Sequence, residues 1–312
     1  MPSIFITGAG GCVGHYLVDQ LTPEYELYLL VRNPAKLRFD PEQRKNITVL
    51  KGDLDQIVDF AGVLSRVDYC IHAATAWGGE GTERINVRRV HELFGMLNPE
   101  RIRRVIYFST ASILGRDMRP LPEAEEYGTE YVRTKYRCYM GLPQIPCYER
   151  IVTVFPTLIF GGDATHPFSN LSLSLPALRR YSGLLGRINI PLRFHFIHAQ
   201  DIAKVVRYLL EEPTVAGNYV LGNKPISLGD FTRRAAQYFG HPVRWQIRFT
   251  PALLYRLALI CGARMSDWDR FCVRYGNFEY PATDCASLGL ASNYKELEQI
   301  LADWRLVEAS RT

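Results

Sequence analysis

Short apolar runs alternate with amphipathic stretches along the first half of the chain. The runs are rich in β-branched and aromatic residues and are predicted to be strands. They lie at 3–7, 27–31, 47–50, 69–72, 104–108 and 151–155. Helical patterns follow the first and fourth runs, at 13–21 and 85–97. Strands that alternate with helices are typical of parallel βαβ units, so we expect an α/β fold with a Rossmann-type doubly wound parallel sheet.

The regular alternation fades after the sixth predicted strand. Proline and glycine then interrupt the chain, and the clearest later elements are a strand at 193–198 and a helix at 201–211. A smaller, discontinuous α+β region is therefore expected beside the Rossmann domain. The predicted division is a dinucleotide-binding domain at 1–160, continued at about 192–215, and a substrate-binding region at 161–191 and 216–312.

Composition narrows the class of protein. The 312 residues are 47% hydrophobic and 22% charged, which suits a globular protein with a sizeable core. Lysine and arginine number 37 against 32 acidic residues, a net charge of +5. This mild excess suits an anionic cofactor and a small-molecule substrate, and it is too diffuse to indicate nucleic-acid binding.

The seven cysteines are odd in number and include no C-x-x-C pair. Reduced thiols in a cytoplasmic protein are expected, and no zinc spacing predicts a metal site. No signal peptide is expected, because Met1 and Pro2 lead directly into a predicted strand without a basic segment. No transmembrane segment is expected, because no apolar run reaches about 20 residues. The nearest candidate, 251–262, contains Arg256 and is interpreted as a packed helix, with contact to a membrane surface as the alternative.

A glycine-rich turn, Gly8-Ala9-Gly10-Gly11-Cys12-Val13-Gly14, joins the first strand to the first helix. A strand, such a turn and a helix form the context that binds a dinucleotide. Gly8, Gly11 and Gly14 can provide the tight turn, the close approach to the pyrophosphate and the close packing of the helix. Cys12 and Val13 begin that helix, whose N-terminus favours the negative charge of the pyrophosphate.

The end of the second strand distinguishes the two nicotinamide cofactors. Arg32 stands where an enzyme that uses NAD commonly has an acidic residue for the ribose 2′-hydroxyl. A guanidinium can instead pair with a 2′-phosphate, and Lys36 adds charge nearby. We therefore predict NADP(H), with NAD(H) still possible and a solvated Arg32 as the alternative. Asp53 and Leu54, after the third strand, are predicted to lie at the adenine, unless Asp53 only caps its loop.

Tyr131 and Lys135 lie four residues apart in a predicted helix and share one face. A free tyrosine has a pKa near 10, and a neighbouring ammonium is expected to lower it toward neutrality. Such a pair is a usable proton donor and acceptor. The spacing alone is common on surface helices, so its significance depends on the other motifs.

Five motifs occur in order along the chain: Thr-Gly-x-x-Gly-x-x-Gly at 7–14, Gly-Asp at 52–53, His-Ala-Ala at 72–74, Ser-Thr at 109–110 and Tyr-x-x-x-Lys at 131–135. Together they resemble the extended short-chain dehydrogenase/reductase family, also called the NAD-dependent epimerase/dehydratase superfamily. The likeness covers about residues 3–205, and it includes the late element His198-Ala-Gln-Asp201.

The resemblance implies a role for each matched position. Tyr131 would be the general acid/base, and Lys135 would tune it and hold the nicotinamide ribose. Thr110 would hydrogen-bond the substrate oxygen, with the adjacent Ser109 as the alternative. The remaining matched positions would line or support the cofactor site: Ala73, Ala74, Asn86 and Pro156.

Two departures from the family pattern concern the substrate side. Phe155 stands where an arginine commonly precedes the proline, and Gly141-Leu142-Pro143 ends the helix that carries Lys135. The cofactor site is thus expected to be intact, with a substrate side unlike the common one.

The same resemblance separates three reactions. Dehydratases carry Asp-Glu after the catalytic threonine, whereas Ala111 and Ser112 stand here. Epimerases place an arginine where Phe194 stands, and a shift of one position turns the side chain of Arg193 to the opposite face of a strand. Hydride transfer between NADP(H) and the carbonyl or hydroxyl of a small, possibly nonpolar substrate is therefore favoured. The alternatives are a sugar-nucleotide epimerase with tightly bound NAD and a non-catalytic NADP-binding regulatory or assembly protein.

Apolar and aromatic residues of the second region are candidates for the substrate site, with ordinary core as the alternative. They are Phe168, Leu171, Tyr181, Leu184, Leu185, Trp245, Tyr255 and Trp268. A homodimer through paired helices is implied only by the family resemblance.

Overall fold

The computed structural model describes residues 1–260 and 265–309. Its strands are β1 (Ser3–Thr7), β2 (Glu26–Val31), β3 (Ile47–Lys51), β4 (Tyr69–His72), β5 (Arg104–Phe108), β6 (Ile151–Pro156), β7 (Leu158–Phe160), β8 (Ile188–Asn189), β9 (Arg193–Phe194), β10 (Phe196–His198), β11 (Gly217–Leu221), β12 (Ile226–Ser227) and β13 (Ile247–Arg248).

The α-helices alternate with these strands. They are α1 (Cys12–Leu21), α2 (Ala61–Leu64), α3 (Arg89–Gly95), α4 (Pro122–Glu126), α5 (Glu130–Gly141), α6 (Leu175–Leu185), α7 (Ala199–Glu211), α8 (Leu228–Tyr238), α9 (Pro251–Ile260), α10 (Asp267–Tyr275) and α11 (Leu297–Ala309). A π-helical turn, Arg84–Arg88, precedes α3, so the helix predicted at 85–97 is present in two parts.

A seven-stranded parallel sheet forms the centre, in the order β11-β6-β5-β4-β1-β2-β3. The predicted Rossmann-type doubly wound fold is therefore confirmed. The structure adds β11 to this sheet, although the sequence assigned 216–312 to the substrate-binding region. The rest of the predicted division into regions stays a prediction.

Side chains on the two faces of the sheet alternate along each strand. Ile4 and Ile6 of β1 pack toward α1 and α7, whereas Phe5 packs toward α3 and α5. Because helices cover both faces, every residue of β1 is buried, and its three central residues, Ile4, Phe5 and Ile6, are all apolar. The carboxyl ends of β1, β2, β4, β5 and β6 meet at one edge, where α/β sheets bind ligands.

The strand predicted at 193–198 is divided at His195. β9 pairs antiparallel with β12, and β10 pairs parallel with β7. His195 is buried between them, where Nδ1 donates to the Asn223 carbonyl at 2.7 Å and Nε2 accepts from the Tyr280 amide at 2.9 Å. The division marks the point at which the chain changes from pairing with β12 to pairing with β7.

Several expectations from composition concern the whole chain. The described cysteines are all free thiols, and Cys261 lies outside the described residues. Within the described ranges, no helix is long and apolar enough to cross a membrane, and no group of side chains is arranged to hold a metal ion. Leu253 and Tyr255 of α9 are exposed rather than packed, while 261 and 262 of the apolar run fall outside the described residues. Contact of this run with a membrane surface stays a prediction.

Candidate active site

A cleft of about 1580 Å³ opens at the carboxyl edge of the central sheet. Every residue predicted to act in catalysis or to bind the cofactor lines it, from Asp53 after β3 to Pro156 of β6. The strand ends bring these side chains together because parallel strands present their carboxyl ends to the same edge. The individual roles of the residues stay predictions.

The glycine turn is packed too closely for side chains at two positions. Gly8 has a φ of +84°, and a Cβ there would lie 2.7 Å from the carbonyl carbon of Ala73. At Gly14 a Cβ would lie 2.1 Å from the Gly8 oxygen. Gly11, in contrast, has an extended backbone, and its Cβ would only contact the Gly8 oxygen at 3.4 Å. Crowding therefore requires glycine at positions 8 and 14. Crowding does not require glycine at position 11, where the predicted reason is the close approach of a pyrophosphate.

The same turn fits a dinucleotide pyrophosphate. Gly11 is the N-cap of α1, and no side chain caps the free N–H groups there. Uncapped N–H groups and the helix dipole favour an anion. Cys12 and Val13 lie at this end of the cleft, where burial raises the pKa of the Cys12 thiol to about 12. Cys12 is thus a neutral thiol that does not oppose the anion.

Arg32, Lys36 and Asp53 lie together at one end of the cleft. The side chain of Arg32 is 78% exposed, and its Nε lies 3.6 Å from Asp53 Oδ2. Asp53 accepts a hydrogen bond from the Asp55 amide and caps the turn that begins at Leu54. Asp53 therefore does cap its loop, which was the alternative to a role at the adenine. The side chain of Arg32 is largely exposed, so its guanidinium is accessible to an anion.

Tyr131 and Lys135 are positioned by α5, whose N-terminus is capped by Thr129. Lys135 is buried and its Nζ donates to the Phe108 carbonyl at 2.7 Å. Burial lowers the pKa of Lys135 to about 8. Burial also raises the pKa of Tyr131 to about 12, although a hydrogen bond with Thr110 acts in the opposite direction. The expected lowering of the tyrosine pKa is therefore wrong for this structure, because burial of the phenol raises the pKa.

Ser109 and Thr110 end β5 beside Tyr131. Thr110 Oγ1 accepts from the Ser112 amide and lies 3.3 Å from the Ser112 hydroxyl. The buried Ser109 hydroxyl has no hydrogen-bond partner among the described residues. Both hydroxyls can serve a ligand, so the two alternatives for the substrate oxygen remain open.

Asn86 supports the cleft without lining it. Its side chain accepts from the Ala76 amide at 2.8 Å, and its Nδ2 donates to the Ala76 carbonyl at 2.8 Å and to Thr134 Oγ1 at 3.0 Å. Asn86 thereby ties the segment after β4 to the helix that carries Tyr131 and Lys135. Phe155 is fully buried against Tyr139, and α5 ends at Gly141 as the sequence indicates.

The substrate end of the cleft was predicted only in part. Phe168, Leu171 and Trp268 line it, whereas Tyr181, Leu184, Leu185, Trp245 and Tyr255 do not. Four of these five are exposed on outer faces of the smaller region, which is why they do not reach the cleft. The sequence analysis missed further lining residues, which are Trp77, Leu192, Phe194, Leu228, Phe231, Phe278 and Tyr280. Two of them had a signal in the sequence, because Trp77 follows a strand end by a few residues and Phe194 stands where epimerases place an arginine.

Arg193 and Phe194 point to opposite sides of β9. Phe194 and His195 line the cleft, while Arg193 lies outside its lining and pairs with Glu279. The prediction from strand alternation is confirmed. Among the described lining residues the arginines are Arg32 and Arg84, and Arg84 is paired with Asp55 at 2.9 Å.

A charged histidine anchors the segment that carries Phe168. His166 lies between two carboxylates, with Nε2 2.9 Å from Asp19 Oδ2 and Nδ1 2.8 Å from Asp163 Oδ2. Both nitrogens can donate only when the ring is protonated. Burial opposes the charge, but the two hydrogen bonds hold the pKa of His166 above its usual value. The ring also stacks on Tyr16 of α1 at 3.8 Å, so it ties this segment to the helix of the glycine turn.

His166→Asn is expected to destabilise the protein more at pH near 6 than at pH near 9. A histidine pKa that is raised on folding stabilises the fold below about 6.5 and loses that effect as the pH rises through the raised value. Thermal unfolding of both proteins at the two pH values measures the difference. His241→Asn, at an exposed histidine bound to Ser182, is the control. An equal loss of stability at both pH values would contradict a charged His166.

The N-terminal part of the chain matches a family model, and a larger part matches known enzymes. The model of the NAD dependent epimerase/dehydratase family matches residues 4–140. Dihydroflavonol 4-reductase of Callistephus chinensis is 22% identical over 269 residues, which cover 76% of this chain and 72% of that protein.

Solved structures match over the whole chain. The dTDP-glucose 4,6-dehydratase of Bacillus anthracis, in complex with NAD, has a TM-score of 0.69 and 13% identity, covering 100% of this chain and 98% of that one. The UDP-N-acetylglucosamine 4-epimerase of Methanobrevibacter ruminantium has a TM-score of 0.67 and 17% identity, covering 100% and 99%. At this identity the two structures share the fold alone.

Proposed function

Because the chain belongs to the extended short-chain dehydrogenase/reductase superfamily, which includes the NAD dependent epimerase/dehydratase family, we propose that it is an NADP(H)-dependent oxidoreductase. It transfers hydride between the nicotinamide and the carbonyl or hydroxyl of a small, largely apolar substrate. The cytoplasmic location and the homodimer expected from the sequence belong to the same proposal.

The arrangement of the cleft carries this proposal. The uncapped N-terminus of α1 and the exposed Arg32 lie at the cofactor end, and Thr110, Tyr131 and Lys135 lie in the middle. Aromatic and aliphatic side chains line the far end. A polar reacting centre between an anion site and an apolar wall suits reduction of a carbonyl on an apolar molecule.

The residues divide the proton chemistry among them. NADP(H), when bound, supplies or accepts the hydride. In reduction, Tyr131 donates its phenolic proton to the carbonyl oxygen as the carbon receives hydride, and the phenolate is reprotonated from solvent. Thr110 donates a hydrogen bond to the same oxygen, and Lys135 holds the cofactor ribose. Oxidation of the alcohol reverses each step.

Two observations favour hydride transfer over the other reactions of the superfamily. Ala111 and Ser112, after Thr110, offer no acid or base for dehydration. Arg193 lies outside the cleft, so no guanidinium of β9 can hold the diphosphate of a sugar nucleotide. The likeness to a dihydroflavonol 4-reductase supports the same choice.

A panel of carbonyl compounds with NADPH and NADH, followed by the absorbance of the reduced cofactor, tests the proposal. Turnover of apolar ketones or aldehydes is expected with NADPH. UDP- and GDP-sugars assayed for epimerisation beside the panel test the first alternative. Binding of NADPH without turnover of any compound would favour a regulatory or assembly protein.

Arg32→Ala is expected to weaken NADPH binding by about 10- to 100-fold and to leave NADH binding unchanged. The loss corresponds to one charge-assisted hydrogen bond to the 2′-phosphate, about 1.5–3 kcal/mol. Titration with each cofactor measures both affinities. Lys51→Ala removes one positive charge at the end of β3, outside the cleft lining, and is the control for general electrostatics. Equal losses for NADPH and NADH would contradict a 2′-phosphate partner.

A further inference from the structure

The loop that follows β4 lies over the candidate acid/base. Residues 75–81, here called the Trp77 loop, read Thr-Ala-Trp-Gly-Gly-Glu-Gly. Gly78, Gly79 and Gly81 all have positive φ, between 87° and 141°. These conformations are rarely adopted by other residues, so the glycines give the loop its path across the cleft.

Two side chains outside the loop fix it in place. Asn86 binds both the amide and the carbonyl of Ala76 at 2.8 Å. Glu130, in the first turn of α5, accepts from the Gly79 amide at 2.9 Å. Trp77 stands between these two anchors, so its backbone is held from both sides.

Trp77 rests on Tyr131. The two rings are stacked with centroids 4.5 Å apart and an interplanar angle of 25°. Although it is large and apolar, Trp77 is 65% exposed, so burial of its own surface does not account for its position. Glu130 and Tyr131 are consecutive in α5, so one helical turn binds the loop through its backbone and through its indole.

We propose that Trp77 is a positioning residue, held by Asn86 and Glu130, that fixes the ring of Tyr131 and shields its phenol from water. The inference rests on the proposed role of Tyr131 in proton transfer. It adds a residue that the motifs of the sequence did not indicate. Because the indole also lines the cleft, it forms one wall of the space in which the substrate oxygen must reach Tyr131.

The groups around Tyr131 agree with a shielding role. Lys135 donates to the Phe108 carbonyl, and Glu130 is bound to Gly79. Glu80, in the Trp77 loop, is exposed. Burial is the main reason for the raised pKa of Tyr131, and the neighbouring Thr110 acts in the opposite direction. Removal of the indole admits water, so the pKa of Tyr131 is expected to fall toward its ordinary value near 10.

Tyrosinate absorbance tests the inference without any substrate. The unaltered protein, Trp77→Ala and Trp245→Ala are each prepared as a pair, one member with Tyr131 and one with Tyr131→Phe. The difference in tyrosinate absorbance within each pair reports the ionisation of Tyr131. Trp245 is an exposed tryptophan outside the cleft lining. At pH of about 10–11 the Trp77→Ala pair is expected to show a tyrosinate difference, whereas the Trp245→Ala pair and the unaltered pair show little. Equal differences in all three pairs would overturn the inference.

Turnover gives the second measurement. Trp77→Ala is expected to lower kcat on the order of tenfold or more, because a loosened phenol is misplaced for proton transfer. It also moves the alkaline limit of carbonyl reduction to lower pH, since reduction needs a protonated Tyr131. Trp77→Phe keeps a stacking ring, so its kcat and alkaline limit are expected to stay close to those of the parent protein. Glu130→Ala is expected to lower kcat and to shift the alkaline limit in the same directions as Trp77→Ala, but by less.

The two measurements separate the inference from the proposed function. A tyrosinate shift in Trp77→Ala without any carbonyl turnover in the parent protein would support shielding and contradict the proposed oxidoreductase. Turnover that depends on Tyr131 but is unchanged in kcat and pH limit by Trp77→Ala would overturn the inference and leave the proposed function standing. Circular dichroism of each variant establishes that it is folded.

Discussion

Tyr131→Phe is expected to lower turnover by roughly 10²- to 10⁴-fold while NADPH binding survives. The substitution removes the phenolic oxygen that donates the proton and leaves the ring that stacks under Trp77. The fold and the glycine turn are therefore unaffected, because Phe fills the same space. Steady-state rates and NADPH titration on the same preparation measure the two properties separately.

A matched control is available in the same helix. Tyr136 lies on α5 outside the cleft lining, and Tyr136→Phe removes a hydroxyl of the same kind. It is expected to keep the parent rate within a factor of about two, as a change of less than 0.5 kcal/mol away from the chemistry would give. Turnover that is unchanged in Tyr131→Phe would exclude this tyrosine as the acid/base.

Gly14→Ala is expected to destabilise the protein by about 3 kcal/mol and to abolish dinucleotide binding. The added Cβ would lie 2.1 Å from the Gly8 oxygen and 2.6 Å from the Ala9 Cα, both atoms of the backbone. Such contacts are relieved only when α1 moves away from β1. The movement displaces the uncapped N–H groups that are proposed to bind the pyrophosphate.

Gly10→Ala is the control for this substitution. It lies in the same turn, but its Cβ would meet only a side-chain carbon of Val31 at 4.0 Å. Its effect on the free energy of unfolding is expected to stay within about 0.5 kcal/mol. Urea unfolding and NADPH titration of both variants test the argument, and equal stability of Gly14→Ala and Gly10→Ala would contradict it.

The sequence was most informative for candidate site residues that directly follow a strand of the central sheet. Once the strands at β1, β2, β4, β5 and β6 are recognised, parallel topology alone brings the residues that follow them to one edge. No further information was needed to place the glycine turn, the Ser109–Thr110 pair and Pro156 at this edge. The same reasoning placed Arg193 and Phe194 on opposite faces, because alternation along a strand is a property of the backbone.

Other parts of the site depend on distances that the sequence does not contain. Burial of the phenol raises the pKa of Tyr131, where the four-residue spacing to Lys135 suggested the reverse. The apolar wall is assembled from remote segments, with Phe194, Phe278 and Tyr280 meeting Phe168 across the cleft. Aromatic residues such as Tyr181 and Trp245 are equally hydrophobic in sequence, but they are exposed and lie outside the cleft. Hydrophobicity alone could not separate the two groups.

Protonation of His195 is expected to destabilise the apolar wall of the cleft at low pH. Its hydrogen bonds to Asn223 and Tyr280 need a neutral ring, since Nε2 accepts from an amide, and burial holds its pKa below the usual value. As the pH falls below about 6.5, protonation of the unfolded chain competes with this arrangement. His166 has the opposite requirement, because it binds Asp19 and Asp163 only when charged. The contribution of His195 to stability therefore declines as the pH falls below about 6.5, and that of His166 declines as the pH rises above it.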